Sequence, residues 1–310
     1  MSITLASVPA FSSVCASAHR IDLSAYTLRT GAVCAALIAA AERGARVRVR
    51  LEGDPLDDAA GTLHAANAES IAALEAAGAD AAPTGPQDPV LHMKAAVVDG
   101  VAWLDDRNWS GEGPETVVRD SDADDVAAVS AGLARGYGRD AHLATTKGPA
   151  QYLEADIIAR AGNAALALES ESFGTGTIYD ALLHRARAGL PTRLLVAGRE
   201  ALALGKSAEN ERRRLSHLQS LGVEVRTGDP RGRDFDEKIA VTTGAAWVGS
   251  TNATYARGDA GRQRDWGMAT RRPALVDGLS RAFERNWRDA APFTGAGSAT
   301  NAVHPADDRR

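Results

Sequence analysis

Several scarcities narrow the reading of this sequence. It has 2 cysteines in 310 residues, Cys15 and Cys34, each set among small and apolar neighbours. Two such thiols build neither a disulfide framework nor a thiolate metal site, so both are expected to be inert core groups. Aromatic residues are 5% of the chain, which leaves Ala, Leu, Val and Ile to fill the interior. No uncharged apolar run approaches the roughly 18 residues of a membrane span. The opening MSITLASVPAFSSVCASAHR has no basic residue ahead of its apolar part, so it reads as mature chain rather than a signal peptide, and a soluble, cytoplasmic protein is expected. Positive charge is not in excess either. A formal net charge of −5 argues against binding nucleic acid through an overall field and leaves room for a local basic pocket.

Lysine is scarce in a more informative way. Lys94, Lys147, Lys206 and Lys238 stand against many arginines, so a lysine that persists reads as a chemical requirement. Two of the four occupy matching places in HMKAAVVDGVAWLDDRN (92–108) and DEKIAVTTGAAWVGSTN (236–252). Aligned without gaps, the segments share Lys94 with Lys238, Gly100 with Gly244, Trp103 with Trp247 and Asn108 with Asn252. Upstream, YTLRTGAVCAALIAAAERGARVRVRL follows the same plan as ESFGTGTIYDALLHRARAGLPTRLLV: a strand end, a Thr-Gly helix start, an amphipathic helix, a Gly stop and a strand. Downstream, Arg119-Asp120 lies at nearly the same distance from its Asn as Arg264-Asp265. An internal duplication follows, with repeats at 1–145 and 146–292 and a polar, Gly-rich tail at 293–310 expected to be disordered. Asp99-Gly100 is a two-residue hairpin signal. It places His92 and Lys94 at a strand start, on one face, and Asp236 and Lys238 repeat that placement.

The duplicated arrangement His92-x-Lys94, Asp99, then a small-residue turn ending in Asn resembles the phospholipase D superfamily. The resemblance implies two α/β repeats, each a mixed sheet flanked by helices, related by a pseudo-two-fold axis and packed sheet edge to sheet edge around one site. It implies a phosphodiesterase or phosphatidyl transferase working through a covalent phosphohistidine, with no metal and no cofactor. His92 would attack phosphorus, with Asp120 or neighbouring Asp122 fixing its tautomer. Lys94, Lys238, Asn108, Asn252 and Ser250 would hold the phosphoryl oxygens, supported by Asp265. Asp99 reads equally as a turn former and as a site member. Fixed cations and amide donors suit a transition state that gathers charge on phosphoryl oxygens.

Two departures stand out. The second copy has Asp236 for the His and Thr243 for the motif Asp; Asp236 is expected to act as a substituted general acid. The first copy has Asp105-Asp106 where the second keeps Gly249-Ser250, and carboxylates there would repel an anionic substrate. Trp103 and Trp247 are expected in the core. His19, His64, His142, His184, His217 and His304 match no part of the motif. A phospholipid or small phosphodiester is the expected substrate, and peripheral membrane contact and a homodimer are compatible with it. A nuclease of the same superfamily stays open, with Arg212, Arg213, Arg214, Arg231 and Arg233 as groove candidates, as does a non-catalytic phosphate-binding protein.

Overall fold

The stretch RVRVRL alternates in character and in burial, with Val47, Val49 and Leu51 inside and the arginines outward, and it forms strand β3 (Arg46–Leu51). The computed structural model describes residues 2–56, 58–111, 115–197, 206–228 and 235–294. The elements around β3 run β1 (Ile3–Ala6), α1 (Val8–Ser17), β2 (Arg20–Ala25), α2 (Ala32–Glu42), then α3 (Thr62–Ala76), β4 (Asp80–Pro83), β5 (Ala95–Val98), β6 (Val101–Asp105), β7 (Val117–Asp120) and α4 (Ala123–Arg135). The same plan follows as β8 (Leu143–Thr146), α5 (Lys147–Arg160), β9 (Leu166–Ser170), α6 (Thr177–Arg187), β10 (Thr192–Val196), α7 (Lys206–Ser220), β11 (Glu224–Thr227), β12 (Ile239–Thr242), β13 (Ala245–Gly249), β14 (Arg264–Thr270) and α8 (Pro273–Asp289), with a short extra strand β15 (Ala291–Pro292).

The duplication is visible in the sheets. The first has the order β1-β7-β6-β5-β2-β3-β4, and the second, read from its far edge, runs β8-β14-β13-β12-β9-β10-β11 with β15 added outside β11. In each, the strands joined through helices are parallel (β2, β3, β4 and β9, β10, β11) and the hairpin strands antiparallel. The Asp99-Gly100 turn between β5 and β6 has positive φ at both residues, 46° and 81°, the conformation a tight two-residue hairpin requires.

The halves do not meet edge to edge. Ala96 and Val98 of β5 pack under α1 and α2 with Phe11, Leu37 and Trp103, while Ala95 joins a separate cluster that both halves build. That shared core combines Leu91, Ala102, Leu104 and Val118 with Ile239, Ala246, Val248, Trp266 and Met268, along with α4 and α8 residues such as Val129 and Leu279. Strands apolar on both faces, as KAAVV is, are made to be covered on both, so the sheets join through their hairpin faces. Trp103 and Trp247 are core residues at 2% and 0% exposure. Around Trp247 the packing leaves no spare room: a Cβ on Gly249 would lie 2.5 Å from the Trp266 carbonyl oxygen and 2.7 Å from the Trp247 ring. Cys15 and Cys34 are buried, and burial pushes the Cys15 thiol up to about 12. At the C-terminal end, Phe293 is buried in the second core and its N–H bonds the Val225 carbonyl, so order continues past the expected boundary; residues 295–310 lie outside the described residues. No described helix is long and apolar enough to cross a membrane.

Candidate active site

His92 and Lys94 lie in extended chain just ahead of β5, not within it. That short approach leaves its own sheet and pairs across to the other half. Leu91 bridges Arg264 in parallel sense, the Arg264 N–H donates to the Val90 carbonyl and the His92 N–H donates to the Arg264 carbonyl, both at 2.8 Å. The side chain next to Arg264 is therefore brought to the imidazole: His92 Nδ1 lies 2.9 Å from Asp265 Oδ1. Asp265 is fully buried and also accepts from Ser250 Oγ and from Gln263 Nε2, both at 2.8 Å. Burial would raise its carboxyl, but His92, Lys94 and Lys147 outweigh burial and hold it below the usual carboxylate range. With Nδ1–H donated to that carboxylate, Nε2 keeps a free lone pair. Burial, then Lys94, lowers the His92 pKa against the pull of Asp265, which keeps the ring neutral.

Asp265, not Asp120, is thus the partner of His92, and strand register gives the reason. Val117 pairs with Asp105 as Gly267 pairs with Gly249. The residue matching Asp265 is two before Val117, namely Glu115, five positions short of Asp120. Glu115 binds the Ser110 and Gly111 N–H groups. Asp120 sits at the other end of β7, where it accepts the Asp122 N–H; Asp122 itself caps α4 through the Asp124 N–H.

The two motif lysines come together from opposite halves, each 2% exposed, and their surroundings pull their pKa values apart. Burial, then repulsion from Lys238, brings Lys94 down from 10.5 to about 7; its ammonium lies 5.6 Å from the Tyr26 ring centre, and Tyr26 in turn stands edge-on to His92. Burial would lower Lys238 as well, but Glu171, Asp236 and Asp106 more than reverse that. Lys238 Nζ is 3.1 Å from Glu171 Oε2 and also bonds the Asp236 carbonyl. Asn252 Nδ2 donates to the same Glu171 oxygen at 3.2 Å, and its own Oδ1 is buried without a partner. Burial would raise Glu171, yet Lys238, His92 and Lys94 hold it down at about 2. A carboxylate thus already occupies Lys238 and Asn252. Asn108 Oδ1 accepts the Thr27 N–H just beyond Tyr26.

Other expected members are arranged differently. Asp236 is ion-paired with Arg107 of the first half at 2.7 Å; a guanidinium at that distance favours the ionised carboxyl and so disfavours a proton donor. Ser250 does not face a phosphate pocket: it bonds Asp265 and accepts the Trp266 N–H, fixing the acid that fixes His92. Asp99 is a turn former, its carboxylate receiving the His19 and Arg20 N–H groups. Asp105 and Asp106 are fully buried and take the Trp109 and Thr116 N–H groups. Burial, then Glu115, pushes Asp105 well above the usual carboxylate range, and burial, then Glu237, does the same to Asp106. Burial thus works against the repelling anion at both positions. Of the arginine candidates, Arg213 pairs with Glu209 along α7 and Arg214 donates to the Phe173 carbonyl; Arg231 and Arg233 lie outside the described residues.

Sequence reasoning passed over Glu171, Tyr26, Gln263 and Lys147. Lys147, buried and bonded to Thr254 Oγ1 at 2.8 Å, stands in the field of Asp265, and the scarcity of lysine was a signal for it. Glu171 and Tyr26 hold equivalent places in the two copies of the strand–helix plan, but neither type marks a phosphate site.

Residues 14–117 match the family described as cardiolipin synthase, PLD-like domain. No curated protein matches the chain by sequence. Among solved structures, a phosphatidylserine synthase from Haemophilus influenzae Rd KW20 shares the fold with a TM-score of 0.68 at 11% identity, over 94% of this chain and 87% of that one. A polyphosphate kinase from Porphyromonas gingivalis gives a TM-score of 0.67 at 14% identity, over 93% of this chain. This chain spans about half of that kinase, 46% of its length.

Proposed function

We propose that this chain, which resembles the phospholipase D superfamily in its fold and in the sequence of its first repeat, is a phosphodiesterase or phosphatidyl transferase acting through a phosphohistidine on His92. The observation that carries the reading is the 2.9 Å contact from His92 to Asp265, made between the two halves beside both buried lysines. A phosphodiester anion enters between Lys94 and Lys238 and displaces Glu171 from Lys238 and Asn252. His92 Nε2 forms the bond to phosphorus as the bond to the leaving oxygen breaks, and Asp265 stabilises the imidazolium that results. Glu171, freed from Lys238 and set beside an anion, takes up a proton from solvent water and passes it to the leaving oxygen. Water or an alcohol then returns a proton to Glu171, attacks phosphorus and releases neutral His92. Glu171, which the incoming anion releases from Lys238 and Asn252, fits the acid–base part better than Asp236, which is ion-paired with Arg107.

The net charge of −5 and the engagement of Arg214 with the backbone support a phospholipid or small phosphodiester over a nucleic acid. The fold shared with a phosphatidylserine synthase, over 94% of this chain and 87% of that one, points the same way. One observation favours a second reading, phosphate binding without turnover: the second copy has Asp236, ion-paired with Arg107, where the first has His92. A nitrophenyl phosphodiester separates the two. His92→Ala should lose roughly a thousandfold or more in turnover, and a radiolabelled diester should leave acid-labile label on the His92 peptide. Glu171→Gln should slow a diester with a poorly acidic alcohol and spare the nitrophenyl ester, whose leaving group departs without a proton. Wild-type turnover no greater than that of His92→Ala would refute the enzyme and leave the binding reading.

A further inference from the structure

A second cluster of ionisable groups lies away from the phosphate site, where the chain passes from the first sheet to the second. Asp125 is on the first turn of α4, and Asp140 and His142 are in the segment leading into β8. One ligand-type atom from each of these three residues lies within 4.8 Å of the other two, and His142 Nε2 is 3.6 Å from Asp125 Oδ1. Asp125 is fully buried, and neither of its carboxylate oxygens has a partner outside the cluster itself. Asp140 spends Oδ1 on the His142 and Leu143 N–H groups, and its buried Oδ2 is unpartnered. A further buried carboxyl, Asp120 at the end of β7, keeps Oδ1 on the Asp122 N–H and leaves Oδ2 unpartnered next to Asp125. Among the described residues no Lys or Arg pairs with any of the three acids.

Three carboxyls in contact and out of water cannot all be ionised unless a cation joins them. Without one, the cluster must share protons. Protonation answers the charge through carboxyl-to-carboxyl contacts of Asp125 with Asp140 and Asp120 and leaves the His142 ring nitrogen, 3.6 Å from Asp125 Oδ1, outside them. A cation answers both.

We propose that Asp125, Asp140 and His142, backed by Asp120, form a structural site for a divalent first-row transition cation that ties α4 to the segment entering the second sheet. The donor set selects the metal. One imidazole nitrogen with carboxylate oxygens suits Zn²⁺ or Mn²⁺, whereas Ca²⁺ takes six to eight oxygens. The 3.6 Å between His142 Nε2 and Asp125 Oδ1 is close to the edge of about 3.4 Å that a tetrahedron of roughly 2.1 Å bonds would have. The His142 side chain, half exposed, gives the ion a route in and leaves room for water to complete its shell.

The test uses the untagged full-length chain, stripped with a chelator and dialysed. Titration calorimetry with Zn²⁺ or Mn²⁺ alone should show one tight equivalent. Saturating metal should raise the melting temperature by ~5 °C or more. Asp125→Asn and His142→Ala should each lose the equivalent, while His92→Ala, at the other site, should keep it; Mg²⁺ and Ca²⁺ should not substitute. Should Asp125→Asn fail to fold, His142→Ala, altered at a half-exposed position, decides alone. Absence of a stoichiometric equivalent in the wild type, or its retention in His142→Ala, overturns the proposal. Overturned too is the site if Asp125→Asn melts higher than a wild type that metal leaves unmoved, because the cluster is then a set of acids sharing protons.

Discussion

Replacing Lys94 by Met should stabilise the protein in acid while destroying its activity. Lys94 is 2% exposed, and burial with the repulsion of Lys238 takes it from 10.5 to about 7. At about 1.4 kcal/mol for each pH unit, that fall corresponds to a cost of roughly 5 kcal/mol for keeping the ammonium charged in the folded state. The figure is net of attraction, since Asp265, Glu171 and Asp105 act on the same ammonium in the opposite sense. A depressed lysine gives a definite sign. Below about 7 both folded and unfolded chains carry the charge and the full cost is present; between about 7 and 10.5 the folded chain has shed its proton and the cost fades; above 10.5 it is gone. Unfolding by denaturant should therefore show Lys94→Met more stable than the wild type by several kcal/mol at about pH 6, with most of the gain lost by about pH 10. Lys238→Met makes the contrast. It leaves Glu171 without its ion-pair partner and should destabilise by about 3–5 kcal/mol, the cost of breaking a buried pair. A pH-independent difference for Lys94→Met, or destabilisation at acid pH, would refute the assignment of a strained cation.

Asp265→Asn should reduce turnover by roughly 10³–10⁴, because an amide no longer selects the His92 tautomer, and the acid limb of the pH profile should move to lower pH because Asp265 is what raises His92; an unmoved limb would assign it to another group. Gly249→Ala should lower the melting temperature by several degrees, the result of about 1–3 kcal/mol of overpacking against Trp247 and Trp266, whereas Gly31→Ala, whose nearest contact would be 3.8 Å away, should melt as the wild type; equal effects at the two glycines would deny that the Trp247 pocket is tight.

The sequence by itself determined what depends on near neighbours in the chain. Alternation in RVRVRL, the Asp-Gly hairpin and the repeated Lys, Gly, Trp and Asn positions each rest on backbone and packing rules within a few residues, so strands, turn and duplication were readable without coordinates. Both buried lysines were legible because the chain otherwise uses arginine. The tertiary structure alone decided the pairings. His92 takes its acid from the other half because the chain before β5 bridges to Arg264, and one strand's register, not linear separation, makes Glu115 rather than Asp120 the counterpart of Asp265. Ser250 turned from phosphate ligand to support because its hydroxyl lies between Asp265 and a backbone N–H. Asp105 and Asp106, threatening as written, are disfavoured as anions because burial raises both carboxyls. Glu171 and the Asp125 cluster had no local signature at all. A carboxylate on a cation and two acids with a His around one point are facts of distance, and residues 171 and 238, or 125 and 142, are brought together only when the chain folds.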